Sequence, residues 1–138
     1  IIKKDKNERN FNVEKMISKF QLESVKNIKG KFLSGGQKKR CAIAMALISN
    51  PKIILMDEPF QGLDLMTTRE LQETIVNLQT EDHSRCCIIS DHAARDLLAI
   101  SDKAIVIANK KIIAQGTPSE IINSRTKELY FGDSFKIN

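Results

Sequence analysis

Three short stretches of this chain carry residue types that can handle a phosphate. Ser34-Gly35-Gly36 precedes an apolar helical pattern. Two glycines let a backbone approach a ligand with no Cβ in the way. The free N–H groups of a helix start face outward, and the helix dipole favours negative charge there. Ser34 adds a hydroxyl. Asp57-Glu58 follows the apolar run Ile53-Ile54-Leu55-Met56. Asp57 at a strand end suits a hydrated Mg²⁺, a hard cation that prefers oxygen ligands and keeps most of its waters. Glu58 can orient or deprotonate a water for in-line attack on phosphorus. Two adjacent carboxylates repel, so a bound cation favours keeping both ionised. Ser90-Asp91-His92 follows a second apolar run, Cys86 to Ile89.

Each stretch also has a structural reading. A bare Ser-Gly-Gly can be a loop and N-cap, a bare Asp-Glu an acidic turn, and a lone His a satisfied structural residue. Gly62-Leu63-Asp64 alone is a turn with Asp64 as the cap of the next helix. His83 has no comparable setting and is expected on a surface loop. Lys38, Lys39 and Arg40 are expected on a solvated helix face.

The elements that must position these residues follow from apolar spacing. Val13, Met16, Ile17 and Phe20 predict a helix over residues 12–20 with one buried face. Residues 21–32 predict a short helix and a loop. A helix starts after Ser34 and stops at Asn50-Pro51; its second half is apolar nearly all round, which predicts deep burial. The runs at 53–56 and 86–89 predict buried strands, the first covered on both faces. Residues 65–79 and 93–100 predict helices. Ala104–Ala108 and Lys111–Gln115, around Asn109-Lys110, predict an antiparallel hairpin. Thr117-Pro118-Ser119-Glu120 is a helix start, with a Thr cap, Pro next and Glu three after the cap.

Strand alternating with helix argues for an α/β fold with a parallel sheet and right-handed crossovers. Ligands of such sheets sit beyond the carboxyl ends of the strands. Asp57-Glu58 and Ser90-Asp91-His92 both fall there. No internal repeat, heptad or low-complexity tract is present.

The bulk numbers narrow the class. A chain of 138 residues makes one modest domain. Its net charge of +5 permits an anionic partner and demands none. Nucleic acid is not expected. The three cysteines, Cys41, Cys86 and Cys87, sit in apolar runs without metal-type spacing, and are expected as small core residues in a reducing compartment. No apolar stretch approaches the ~20 residues of a membrane span, and no signal peptide is visible. The chain begins without Met and reads as if mid-domain, so a fragment is expected.

Taken in order, Leu33-Ser34-Gly35-Gly36-Gln37-Lys38-Lys39-Arg40, Ile53 to Pro59, Gly62-Leu63-Asp64 and Asp91-His92 resemble the signature, Walker B, D-loop and H-loop of ABC-type ATPases. The resemblance implies the C-terminal part of a P-loop NTPase fold. It implies ATP and Mg²⁺ as cofactors, Glu58 and His92 as catalytic residues and Asp57 at the metal. It further implies Ser34, Gly35, Gly36, Gln37 and Asp64 at the nucleotide. Residues 1–32 would end a helical subdomain, 33–116 form the ATPase core and 117–138 a helical tail. The D-loop begins Gln61-Gly62 where the commoner form has Ser-Ala, so a serine's hydrogen bonding is missing there.

No G-x-x-x-x-G-K-S/T loop and no Q-loop candidate occur in the chain. The segment by itself is therefore expected to be inactive. The Gly116-Thr117-Pro118 region and the Tyr130-Phe131-Gly132-Asp133-Ser134-Phe135 ending resemble the ATPase subunits of lipopolysaccharide exporters, with branched-chain amino-acid importers as the alternative. That branch implies a homodimer of ATPase subunits with transmembrane permease partners, cytoplasmic and peripheral on the inner membrane. Two other classes are weighed. DNA-repair ABC ATPases insert coiled-coil arms before the signature, and no heptads precede Ser34. A noncatalytic interaction module stays open, although Asp57, Glu58 and His92 argue against decay.

Overall fold

A computed structural model describes residues 6–123. The elements in order are α1 (Lys6–Lys19), α2 (Gly35–Leu47), β1 (Ile53–Asp57), α3 (Leu65–Glu81), β2 (Cys86–Ser90), α4 (Ala94–Leu98), β3 (Ala104–Ala108), β4 (Lys111–Gly116) and α5 (Pro118–Ile122). Two single 3₁₀ turns, Glu23–Val25 and Gly30–Phe32, stand where a short helix was expected. The Tyr130 to Phe135 ending lies outside the described residues.

β1 and β2 pair in parallel, joined by the crossover through α3, in the register Ile53↔Cys86 to Asp57↔Ser90. β3 and β4 form a separate antiparallel hairpin with a bulge between Val106 and Ile107. Its turn residues Asn109 and Lys110 both have positive φ, as a two-residue hairpin turn of matching twist requires. The sequence expectation of a parallel core with flanking helices and a following hairpin is met.

The core is one cluster. Phe20 and Leu22 come from the end of α1, Ile43, Ala44 and Leu47 from α2, and Ile54 and Met56 from β1. Leu71, Ile75 and Leu78 form the buried stripe of α3, at the i, i+4, i+7 spacing of one helix face. A buried Arg85 closes the lower end of this layer. Its guanidinium donates to Leu78 O (2.9 Å), Asn50 Oδ1 (2.8 Å) and Pro51 O (3.3 Å). Those bonds hold the ends of α2 and α3 and the entry to β2 together, and so satisfy a buried charge. Beside it, hydrogen bonds from the Ser84 hydroxyl and then from Lys52 hold the Asp82 carboxyl down to about 2.

Three burial expectations are corrected. β1 is covered on one face only: Ile54 and Met56 are buried, while Ile53 is 62% and Leu55 74% exposed. Ile88 of β2 is open on the same layer. An unbroken apolar run is ambiguous, because it fits a strand with two apolar faces whether or not both are covered. The second half of α2 buries Ile43, Ala44 and Leu47 but exposes Met45 and Ile48. Cys86 is exposed, while Cys41 and Cys87 are partly buried and pack against the core, so the expectation of core cysteines fails at Cys86. Burial first, then the neighbouring Cys86, pushes the Cys87 thiol up, away from a reactive thiolate.

Leu78 has no exposed surface and ends the buried stripe of α3. Leu78→Ala is expected to lower unfolding free energy by about 2–5 kcal/mol, the usual range for a buried leucine truncation. Urea denaturation followed by circular dichroism checks this.

Candidate functional site

The β1–β2 register decides where the polar residues go. Asp57 and Ser90 are paired neighbours at the carboxyl ends of the two strands, and the Ser90 hydroxyl donates to Asp57 Oδ1. One more ladder bond, Glu58 N to Ser90 O (2.7 Å), extends the pairing past the strand end. Glu58 then turns into the left-handed region, with φ +46°. For a non-glycine residue that conformation costs of order 1–3 kcal/mol and persists only when the surroundings impose it. Pro59 follows, and a proline also restricts the residue before it.

The surroundings that impose it are identifiable. The Asp91 side chain has no solvent exposure. One carboxylate oxygen accepts from Phe60 N and the other from Ala93 N, both at 2.9 Å. A buried carboxylate thereby ties the loop after β1 to the start of α4. His92, between them, stays exposed, with Nδ1 3.8 Å from Glu58 Oε1 and 3.7 Å from Asp91 Oδ1. Asp57, Ser90, Glu58 and His92 thus share one rim. Asp91 was quoted in the sequence without a role; its position in the turn after β2, at a residue able to accept two backbone bonds, was the available signal.

The helix tip is equally explicit. Ser34 caps α2: its Oγ accepts from Gln37 N (3.2 Å), and Gln37 Oε1 accepts from Ser34 N (2.9 Å). This capping box satisfies two N–H groups reciprocally. Gln37 thus has a local structural duty. The two glycines differ. Gly35 is exposed, and a Cβ there would make ordinary contact with Leu63. Gly36 is buried, and a Cβ there would lie 2.5 Å from Thr67 Cγ2. Glycine at 36 is needed for the packing of α2 on α3, a close approach of two helices rather than open space for a ligand.

Asp64 caps α3. Its two oxygens accept from Thr67 N (3.0 Å) and Thr67 Oγ1 (2.6 Å). The Thr67 hydroxyl first, then the Thr67 backbone, holds its carboxyl below the usual range. Gly62, the turn residue before it, has φ +71°. His83 is on an exposed loop, as expected. The expected solvated face of Lys38, Lys39 and Arg40 holds for Lys38 alone. Lys39 reaches back to Glu58 O (2.5 Å), and Arg40 lies 3.5 Å from Glu70. A helix-wheel reading cannot show this, because the partners, Glu58 in the loop after β1 and Glu70 on α3, lie 19 and 30 residues away in sequence.

The donor set fits a hydrated magnesium ion in part. Asp57 and Ser90 offer two convergent oxygens, the ligand type Mg²⁺ prefers, and the ion ordinarily takes the rest from water and phosphate. Among the described residues no group of three or more His, Cys, Asp or Glu side chains could hold a metal without such help. No described helix is long and apolar enough to cross a membrane.

Residues 2–61 match the ABC transporter family. The chain is 34% identical over 131 residues to the lipopolysaccharide export ATP-binding protein LptB of Haemophilus influenzae, and equally to that of Escherichia coli K12. Those alignments cover 94% of this chain and 54% of each relative. It is 40% identical over 111 residues to the spermidine/putrescine import ATP-binding protein PotA of Mycoplasma capricolum, covering 80% of this chain and 31% of that one. Among solved structures, cbiO1 of Clostridium perfringens superposes with a TM-score of 0.79 at 31% identity, covering 94% of this chain and 53% of that one. The MJ1267 ATP-binding cassette gives 0.81 at 27% identity, covering 99% and 53%.

The chain is therefore similar to ABC transporter ATP-binding proteins along nearly its whole length, and it has the fold of their cassettes. It spans about half the length of the curated relatives it matches.

Gly36→Ala should destabilise the α2–α3 contact by about 1–3 kcal/mol, the usual overpacking cost. Thr67→Ser removes the clashing methyl and keeps the cap. A double-mutant cycle by thermal melts is expected to show the two changes coupled, Gly36→Ala costing markedly less in the Thr67→Ser background.

Proposed function

We propose that this chain is the part of an ABC transporter ATPase that supplies the signature tip, the acidic strand end and the switch histidine. In this reading, residues 33–116 are the ATPase core, residues 1–32 end the helical subdomain that meets the membrane partners, and residues 117–138 are a helical tail. The observation that carries the reading is the convergence of Asp57, Ser90, Glu58 and His92 on one rim, set by a single strand register.

Each residue then has a task it can perform where it stands. Asp57, with Ser90, would hold the cation through oxygen. Bound Mg²⁺ would neutralise charge on the phosphate oxygens. Glu58 orients the attacking water and accepts its proton, at a carboxylate fixed by the turn after β1. His92, exposed beside it, hydrogen-bonds the terminal phosphate. Ser34, Gly35, Gly36 and Gln37 form the N-terminal tip of α2, where N–H groups and the helix dipole favour an anion. Asp64 lies on the loop next to that tip. The tip of one copy would face the acidic rim of a second, so the working unit is a homodimer.

The phosphate-cradling glycine loop does not occur in these 138 residues. Phosphoryl transfer relies on positioning and charge stabilisation. The chain alone is thus proposed to be inactive, and the complete subunit active.

The best-supported transport role is lipopolysaccharide export with transmembrane permease subunits, from the cytoplasmic side of the inner membrane. Support comes from the likeness to two LptB proteins along nearly the whole chain. Import is the second reading, favoured by the higher identity to PotA over a shorter stretch.

In the complete subunit, Glu58→Gln is expected to retain ATP and to lose at least about a hundredfold in turnover, a loss of general-base scale. His92→Ala should fall similarly, while the purified 138-residue chain shows no Mg²⁺-dependent phosphate release. Steady-state ATPase assays check all three. Near-normal turnover in Glu58→Gln would remove Glu58 from the mechanism.

A further inference from the structure

The proposed base sits on a backbone that the local sequence does not favour. Glu58 is in the left-handed region, is not glycine, and precedes a proline. Its N–H is fixed by Ser90 O at 2.7 Å. Its carbonyl must be held as well for the left-handed turn to stay closed, because ψ of Glu58 is the torsion left free once its N–H is fixed and Pro59 locks its own φ. Within the turn the carbonyl receives only Gln61 N, at a long 3.3 Å. The strong bond comes from elsewhere: Lys39 Nζ donates to Glu58 O at 2.5 Å, from the second turn of α2 and partly buried. A charged donor makes the stronger and shorter kind of hydrogen bond.

The origin of that lysine gives the contact its meaning. Lys39 is five residues past Ser34, on the helix whose first turn is the capped glycine tip. Gly36 presses that helix against Thr67 of α3, so α2 is located on one side by packing. Lys39, three residues further along the same helix face, links it to the acidic loop. The alternative duty for Lys39, an ion pair with a side-chain carboxylate, is absent from its described contacts, which consist of this backbone oxygen. A side chain that spends its charge on a backbone carbonyl fixes a conformation.

We propose that Lys39 is a positioning residue for Glu58: it clamps the Glu58 carbonyl, keeps the left-handed turn closed, and makes the pose of the base depend on where α2 stands. This rests on the reading of Glu58 as the proposed base. A displacement of the α2 tip, such as an anion docking there would cause, is thereby transmitted to the carboxylate of the same chain.

Two measurements test it separately. In the 138-residue chain, the ¹³C carbonyl shift of Glu58 and the ¹⁵N shift of Gln61 are read by NMR for wild type, Lys39→Met and Lys39→Arg. Lys39→Met should move both, and Lys39→Arg should leave them near wild type. In the complete subunit, Lys39→Met should lower kcat by about tenfold with the KM for ATP nearly unchanged, and Lys39→Arg should restore most of the rate, as expected for an interaction expressed in the transition state. A general loss of fold would instead lower the apparent kcat of Lys39→Arg as well and alter the circular dichroism and the NMR shifts throughout the chain. If Lys39→Met misfolds, Lys39→Gln, which keeps a neutral donor, takes its place, with an intermediate shift and rate expected. Unchanged Glu58 carbonyl shift in Lys39→Met, or unchanged kcat while Glu58→Gln is inactive, overturns the proposal. If Glu58→Gln itself remains active, the assignment of the base has failed, and the carbonyl shift still reports whether the clamp exists.

Discussion

A buried carboxylate holds this site together. Asp91, with no solvent exposure, accepts one backbone bond from the loop after β1 and one from the segment entering α4. Removing such a group would leave two inward N–H donors unpaired, at a cost well above that of an ordinary hydrogen bond. The parallel register supplies the other half of the constraint. Because Asp57 opposes Ser90, the two strands end together, and Glu58, Asp91 and His92 follow within two residues of that end. A slip of one residue would turn every side chain of β2 to the opposite face and separate the hydroxyl from the carboxylate.

The second organised element, the tip of α2, is built by different physics. Its donors are positioned by a reciprocal cap and by a glycine that allows α2 to press on α3. The tip and the rim are thus parts of one core, linked through Thr67, Asp64 and Lys39. Their chemistry is complementary: one end offers N–H groups and a positive dipole, the other offers oxygen for a cation and a base. Neither end offers a cradle for the inner phosphates, which is why the complete subunit, and a second copy of it, enter the functional reading.

Much of this arrangement was legible in the residues. Caps are local, so Ser34, Asp64 and Thr117 announced their helices, and all three cap as their residue types predict. The strand ends were legible because polar residues stop an apolar run. Exposure was not. Ile53 and Leu55 alternate with Ile54 and Met56 without any change of residue class, so nothing local distinguishes the covered face from the open one. Long-range partners were equally hidden. Lys39 looked like part of a basic helix face and instead bonds a carbonyl nineteen positions away. Arg85, a charge that sequence reasoning gives no partner, is buried against three backbone and side-chain oxygens. In each case a long flexible side chain chose a partner that only the assembled core brings near.

Native-state hydrogen exchange at the amides of Phe60 and Ala93, compared between wild type and Asp91→Ala, tests the central constraint most directly. Both N–H groups should be protected in the wild type and should lose that protection together in the variant, with Glu58 N following. Rapid exchange of either amide in the wild type, or protection unchanged by Asp91→Ala, would show that the acidic loop is held by something other than this carboxylate.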